Sequence, residues 1–405
     1  MILNIARRNI WRNKRRTLIT VASVFFALFF GLMMRSVQIG TFGRITENIV
    51  SSYSGHLQIH KKGYSEEKII NNSFKFPSGK IEKIKRLNYV KAVVPRIESF
   101  ALASSGEQTK GCLVSGISPE KENAVTEISE KIISGRYLTQ NDNGALIGDK
   151  LASFLNVGIN DTIILLGQGY HSVSAAGKYP VRGILHFSTP KLNSSLVYIS
   201  LKEAQTLYSI ENKLTGIAVF ADNDRHTSLL KSEILSVFNP ENYEVLDWGE
   251  MMPELKQLIQ TKSAGSYVVL GLLYMIVGFG VLGTAVMSAA ERKKEFGLLI
   301  AVGMRKIKLA LIVFSETLFL GLIAVIAGFA VSLPIILYYS VYPILLSGTM
   351  AAMYEKGGFE PVIVFSSDPS YMFAQLIIVG VIVLIASCYP ILKISRLKPI
   401  DAMRN

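Results

Sequence analysis

Residues 263–290 read SAGSYVVLGLLYMIVGFGVLGTAVMSAA, twenty-eight positions without a formal charge, and ERKKEFGLLIAVGMRKIK follows directly over 291–308. A helix rises ~1.5 Å per residue, so ~20 apolar residues cross the hydrocarbon core of a bilayer. The first segment is therefore long enough to span. The second carries six basic residues against only Glu291 and Glu295. An apolar run that breaks into a basic loop marks a membrane protein whose loop stays in the cytoplasm.

Three further runs extend this reading. Residues 17–34 are uncharged between Arg16 and Arg35, 309–333 are interrupted by Glu316 alone and stop at Pro334, and 369–392 run from Pro369 to Leu392 without a charge. The sequence thus predicts four transmembrane helices, at 17–38, 263–290, 309–333 and 369–392. Arg35 is placed to snorkel to the far interface. The chain of 405 residues is half hydrophobic and 18% charged, with a mean hydropathy of +0.35, which excludes an ordinary soluble protein.

The net charge of +13 at first suggests nucleic acid, but its placement excludes that partner. Arg7, Arg8, Arg12, Lys14, Arg15 and Arg16 precede the first run. Arg292, Lys293, Lys294, Arg305, Lys306 and Lys308 lie in the 291–308 loop. Lys393, Arg396, Lys398 and Arg404 lie in the 393–405 tail. With the three acids beside them, these segments hold the whole excess, and the remainder of the chain is neutral. Positive segments stay inside, so 1–16, 291–308 and 393–405 are expected in the cytoplasm, and 39–262 and 334–368 on the other side. The first run is too long for a cleaved leader and is followed by no A-x-A site, so an uncleaved signal anchor is expected.

Residues 39–262 have ordinary mixed polarity and read as an α+β domain inserted between the first two spans. Strands are expected at His56–His60, Ala92–Val94, Thr162–Leu166, Val181–Leu185, Leu196–Ile199 and Gly216–Phe220, where β-branched residues alternate. Helices are expected at Pro119–Ile133, Asp149–Asn156, Leu201–Ser209 and Asp224–Phe238, the last N-capped by Asp224. Gly167–Gly177 reads as a loop, and 248–262 as a helix running into the second span, with Pro253 in its first turn. Residues 39–52 prolong the first span. Cys112 and Cys388 fall in different regions, so no disulfide framework is expected, and 224 residues bury a core without one.

The chain has no phosphate-binding loop, no G-x-S-x-G elbow and no H-E-x-x-H. His56 and His60 share a strand face, but without an acidic or cysteine partner they read as core histidines rather than a metal site. No catalytic, cofactor-binding or metal-binding residue is expected. The informative segment is the 291–308 loop. Phe296, Leu298, Leu299 and Ile300 interleave with charge, and Gly297 and Gly303 flank them. The pattern fits a short amphipathic helix ending near Gly303, lying either against a partner or on lipid.

RKKEFGLLIAVGM (292–304) resembles the R-x-x-E-[IF]-G-x-L-x-A-x-G signature of FtsX-like ABC permeases, the group that includes MacB-type exporters and lipoprotein-releasing permeases. ARRNIWRNKRRT (6–17) is similar to the family's basic entry, and SCYPILKISRLKPIDAMR (387–404) to its exit, with Ile391 replacing the common alanine. SGRYL (134–138), ALIGDKLA (145–152), VGINDT (157–162) and SLKEAQTLY (200–208) resemble the MacB-type periplasmic core. The resemblance implies an FtsX-like permease domain at 263–405, a periplasmic 39–262, an inner-membrane location and cytoplasmic termini. It further implies a second permease, identical or homologous, and a separate cytoplasmic ATPase that holds the ATP and Mg²⁺. That ATPase would dock on Arg292, Glu295, Phe296, Gly297, Leu298, Leu299, Gly303 and Met304. Gly278, Gly280 and Gly283 would let helices approach. Among the branches, a lipoprotein-releasing permease is expected from the separate ATPase and the domain size. Tyr170, His171 and Tyr179, in the Gly167–Tyr179 stretch, are its candidate contacts with a periplasmic carrier or cargo. A MacB-like exporter of peptides or small amphiphiles with an adaptor, and a non-transporting relay to an envelope enzyme, are the alternatives.

Overall fold

Apolar residues in lipid satisfy their backbone polar groups only by closing them within a helix or a barrel. In the computed structural model, which describes residues 14–357 and 359–395, each apolar run is helical, and the first three helices extend well beyond the apolar length. In chain order the first elements are α1 (Lys14–Ile49), β1 (Leu57–Lys61), β2 (Phe74–Lys75), α2 (Ser78–Lys85), β3 (Val90–Ser105), β4 (Gln108–Ile117) and α3 (Pro119–Thr126). Then come β5 (Ile132–Gly135), β6 (Ala145–Gly148), α4 (Asp149–Leu155), β7 (Thr162–Gln168), β8 (Ser174–Leu185), α5 (Pro190–Ser195), β9 (Leu196–Ser200) and α6 (Leu201–Leu207). They are followed by β10 (Lys213–Leu214), β11 (Gly216–Ala221), α7 (Thr227–Val237), β12 (Tyr243–Asp247), α8 (Trp248–Met251) and α9 (Pro253–Glu291). The chain continues through α10 (Lys293–Ala301), α11 (Lys306–Val341), β13 (Ile344–Leu345), α12 (Gly348–Lys356), β14 (Val362–Ile363) and α13 (Pro369–Ser395).

Two compact units result. One comprises residues up to 42, 259–345 and from 362 onward; the other comprises 43–258 and 346–361. In the first unit α1, α9, α11 and α13 are long and apolar enough to cross a membrane. Their shared core joins Val24, Leu28 and Leu32 to Val277, Val281, Ala324, Val379 and Val383. Pro334 does not end the third span: α11 continues through it to Val341. In an apolar setting a kinked helix leaves fewer backbone groups unpaired than an unwound chain.

Within the chain, the tightest approach between α11 and α13 is at none of Gly278, Gly280 and Gly283. A Cβ at Gly278 or Gly280 would meet Ile382 or Ser23 at ordinary contact distance, and one at Gly283 would meet nothing within 4 Å. The tight site is Gly321, where a Cβ would lie 2.1 Å from Val383 Cγ1, so α11 and α13 pack there only because the side chain is absent.

The second unit is built on one sheet with the strand order β12-β1-β11-β3-β4-β9-β6-β8-β5. β7 pairs with both β3 and β8, which closes the central strands into a ring. Alternate residues Ala101, Ala103, Cys112, Val114, Ile163, Leu165 and Ala175 are buried in the main core, as the two-residue period of a strand requires. The expected loop Gly167–Gly177 is mostly strand: Gly167 pairs with Ala175 and Leu166 with Ala176, leaving only 169–173 as the turn. Helix α3 ends at Thr126, seven residues short of the expected Ile133, because Glu127 takes a left-handed conformation. Helix α7 begins at Thr227 behind a 3₁₀ turn, so Asp224 is not its N-cap. A capping box between Asp247 and Glu250 starts α8, and the chain breaks at Met252 before Pro253 opens α9. The expected loop 334–368 holds the β13–β14 pair and α12. Within the second unit Glu355 pairs with Lys150 at 2.8 Å, and Glu360 accepts from Asn48 at 2.9 Å.

A buried ionic cluster joins the end of α1 to the sheet. Arg96 on β3 is fully buried; its Nε donates to Glu122 Oε2 at 3.0 Å and its Nη2 to Glu122 Oε1. Its Nη1 donates to the carbonyl of Tyr53, in the π-helical turn that follows α1, and lies 3.6 Å from Glu98. Burial pushes the Glu98 carboxyl above the usual range, against the pull of Arg96.

His56 and His60 are structural. His56 Nδ1 accepts from the Ala221 amide at 3.1 Å. His60 is buried, donates to the Thr215 carbonyl at 2.7 Å and stacks on Tyr64. Burial lowers its pKa from 6.5 to about 4. The folded domain therefore holds His60 neutral where the unfolded chain would protonate it. Its contribution is complete above pH 6.5 and is lost as pH falls toward about 4, a loss of up to about 3 kcal/mol. Unfolding midpoints of the purified chain should fall between pH 7 and pH 5, and His60→Gln should flatten that dependence.

Candidate partner-docking surface

Within the 291–308 segment, Lys293–Ala301 folds as helix α10, bounded on one side by Arg292 and on the other by Gly303. The Met304 amide bonds to the Leu299 carbonyl at 3.0 Å and the Gly303 amide to the Ile300 carbonyl at 3.0 Å. These are the paired bonds of a Schellman motif, which needs a left-handed residue after the helix. Gly303 supplies it with φ +105°. Glu295 sits in the first turn, where an acid opposes the helix dipole favourably.

The helix has two sides with different tasks. Phe296 is fully buried among Leu309, Ala310, Val313 and Ile394, with Ile300, Met304 and Ile391 at the edge. Gly297 is buried beside it. Arg292 is buried and donates through Nη1 to Glu316 Oε2 on α11 at 2.8 Å and through Nε to Glu295 Oε2 at 3.1 Å. Its guanidinium also lies 5.2 Å from the centre of the Phe296 ring. Glu316 is therefore explained as the buried counter-charge that holds α10 against α11. The opposite side is bare: Leu298 is 60% exposed, Leu299 37% and Val302 81%, with Lys294 and Glu295 beside them.

The sequence-based docking set thus divides. Leu298, Leu299, Glu295 and Gly303 are exposed, and Met304 is half-buried, whereas Phe296, Gly297 and Arg292 face inward and anchor the helix. Val302 was missed. Its signal was present in the sequence, one turn after Leu298 and Leu299 on the same side. In the 43–258 domain, Tyr179 is buried and its hydroxyl is pushed up to about 12 by burial, so it offers no contact surface. His171 is exposed at the β7–β8 turn, with φ +52° and its amide bonded to Asn71. Tyr170 is half-buried beneath Lys213, whose Nζ lies 3.5 Å from its ring centre. The two remaining tyrosine-loop candidates therefore stay together and Tyr179 leaves them. Among the described residues, no cluster of three metal-ligating side chains occurs, and both cysteines are free.

Four apolar helices with an α+β domain between the first two define a multi-pass membrane protein. Residues 17–237 match the MacB-like periplasmic core domain, and residues 267–399 match the FtsX-like permease C-terminal domain. The chain belongs to the MacB/FtsX-type family of ABC transporter permeases. It is similar to "Lipoprotein-releasing system transmembrane protein LolC" of Neisseria meningitidis serogroup B, with 20% identity over 58% of this chain. That match spans 59% of the relative's length. It is also similar to "Lipoprotein-releasing system transmembrane protein LolE" of Haemophilus influenzae, at 19% identity over 78% of each chain. An uncharacterized ABC transporter permease of Methanocaldococcus jannaschii is 21% identical over 100% of this chain and 98% of its own.

Two solved structures are similar to parts of the chain. The extracellular domain of the noncanonic ABC-type transporter YknZ from Gram-positive bacteria has a TM-score of 0.34 and 18% identity, covering 48% of this chain and 100% of that one. The periplasmic region of MacB from Actinobacillus actinomycetemcomitans has a TM-score of 0.36 and 16% identity, covering 54% and 98%.

Proposed function

We propose that this chain is a non-catalytic inner-membrane permease subunit that works by mechanotransmission and takes part in extracting lipoproteins for transfer to a periplasmic carrier. The observation that carries the reading is the two-sided helix α10. One side is locked to α11 and α13 by Phe296 and the Arg292–Glu316 pair, while Leu298, Leu299 and Val302 stand clear. An apolar ridge with charged flanks is what a helix-in-groove contact requires. In this reading the ridge seats in a separate cytoplasmic ATPase, which supplies ATP and Mg²⁺. Two permease copies, identical or homologous, pair in the membrane, and α1 and α9 carry the stroke toward the 43–258 domain. The basic segments then face the cytoplasm and the domain faces the periplasm, in accord with the charge distribution. The names of the two lipoprotein-release relatives support the cargo class. The MacB-like core match supports a second reading, export of peptides or small amphiphiles with an adaptor.

Depletion of the protein, followed by membrane fractionation, separates the two. Lipoproteins retained in the inner membrane are the expected result. Normal sorting accompanied by heightened sensitivity to drugs or peptides would instead favour export. A Leu299→Glu copy is expected to insert normally, co-purify no ATPase and fail to restore sorting, since a charge at the centre of an apolar contact is strongly unfavourable. Co-purification at the wild-type level would remove the ridge from the docking role.

A further inference from the structure

Near the end of the apolar part of α1, groups able to donate hydrogen bonds gather without an acceptor of negative charge. Arg35 Nη1 donates to Gln38 Oε1 and its Nη2 to the Tyr267 hydroxyl on α9, each at 2.6 Å. The guanidinium lies 4.5 Å from the centre of the Tyr267 ring. Both polar partners are neutral, and among the described residues no carboxylate pairs with Arg35. Gln38 Nε2 is buried without a hydrogen-bond partner, and so is Thr41 Oγ1 one turn further on. The Tyr267 oxygen accepts from Arg35, which leaves its O–H to donate elsewhere. A cation and neutral donors held together in this way call for an oxyanion.

Position along the helix narrows the choice of oxyanion. Arg35 follows Arg16 by nineteen residues, which at ~1.5 Å per residue is ~29 Å, the thickness of the hydrocarbon core. With Arg16 at one interface, Arg35 stands at the level of the phosphates of the opposite leaflet. Its surroundings suit a tailed ligand: Tyr267 is 56% exposed, and Val268, Val269 and Leu272 beside it on α9 are exposed as well. We propose that Arg35, Gln38 and Tyr267 form a headgroup site for a phosphate-bearing membrane lipid, whose acyl chains lie along the exposed apolar face of α9. The guanidinium would fork onto two phosphate oxygens, with the amide and phenol completing the shell. The site requires only that the chain spans a bilayer and is independent of the cargo assignment.

Native mass spectrometry of the full-length chain in detergent, titrated with dioleoyl phosphatidylglycerol, should reveal one saturable adduct. Arg35→Gln is expected to weaken that adduct about ten-fold or more. Tyr267→Phe alters an exposed residue and so does not threaten the fold; it should weaken the adduct about three-fold. Dioleoylglycerol has the same tails and no phosphate, and it should not form the adduct. Wild-type retention of phosphatidylglycerol by both variants, or equal occupancy by dioleoylglycerol, would overturn the site. Displacement of the lipid by millimolar inorganic phosphate would overturn the lipid assignment in favour of a free anion.

Discussion

A chain carrying Arg96→Met is expected to lose about 3–5 kcal/mol of stability in the 43–258 domain. The reason is the asymmetry of a buried ionic cluster. Arg96 and Glu122 are both sealed from water, and Glu98 lies close by. Removing the cation leaves two carboxylates in a low-dielectric interior, where neither can stay ionised without a partner. The change also withdraws the donor from the Tyr53 carbonyl, so the turn after α1 loses its tie to β3. Limited proteolysis and hydrogen exchange across residues 50–54 and 119–126 would report the loss. Adding Glu122→Leu to the same chain should recover much of the stability, because an apolar pair replaces an ionic one at little net cost. A single mutant as protease-resistant as the wild type would show that the cluster is not needed to hold these elements together.

The second large effect is expected at Glu316→Ala. Arg292 would keep its contact with the half-exposed Glu295, and a buried guanidinium would lose its buried counter-charge. Helix α10 should then undock from α11 with a local penalty of about 3 kcal/mol, equivalent to roughly a hundred-fold rise in the open population. Hydrogen exchange over 293–301 and tryptic cleavage at Lys293 and Lys294 would measure it. Leu299→Glu, on the bare side of the same helix, should leave both readouts unchanged. The contrast distinguishes the anchor from the ridge: one substitution loosens the helix, and the other alters only what it meets.

The spans were legible because burial in lipid demands a length of apolar sequence that few soluble elements match. The same logic misplaced the end of the third span, since Pro334 was read by the rules of water, where a proline stops a helix. In the 43–258 domain, strands rich in Val and Ile declared themselves. β4, with Gly111, Cys112 and Ser115 among its residues, did not, because small side chains that fit between sheet neighbours look like loop composition. Gly167–Gly177 was misread for the same reason. On α10, apolar spacing identified an amphipathic helix but not its inward side. Phe296, Leu299 and Ile300 are equally apolar, and Arg292 is turned inward only because Glu316, twenty-four residues later, is waiting for it.

The strand pairing at the two ends of the 43–258 domain has a separate consequence. β1, the first strand after α1, lies beside β12, the last before α8, with Leu57 opposite Asp247 and Lys61 opposite Tyr243. Severing the chain on each side of this pair leaves two stumps one strand spacing apart, ~5 Å, which a few residues of linker can bridge. The domain is thus laid out as a cassette, its entry and exit held side by side by one strand pair whatever lies between them.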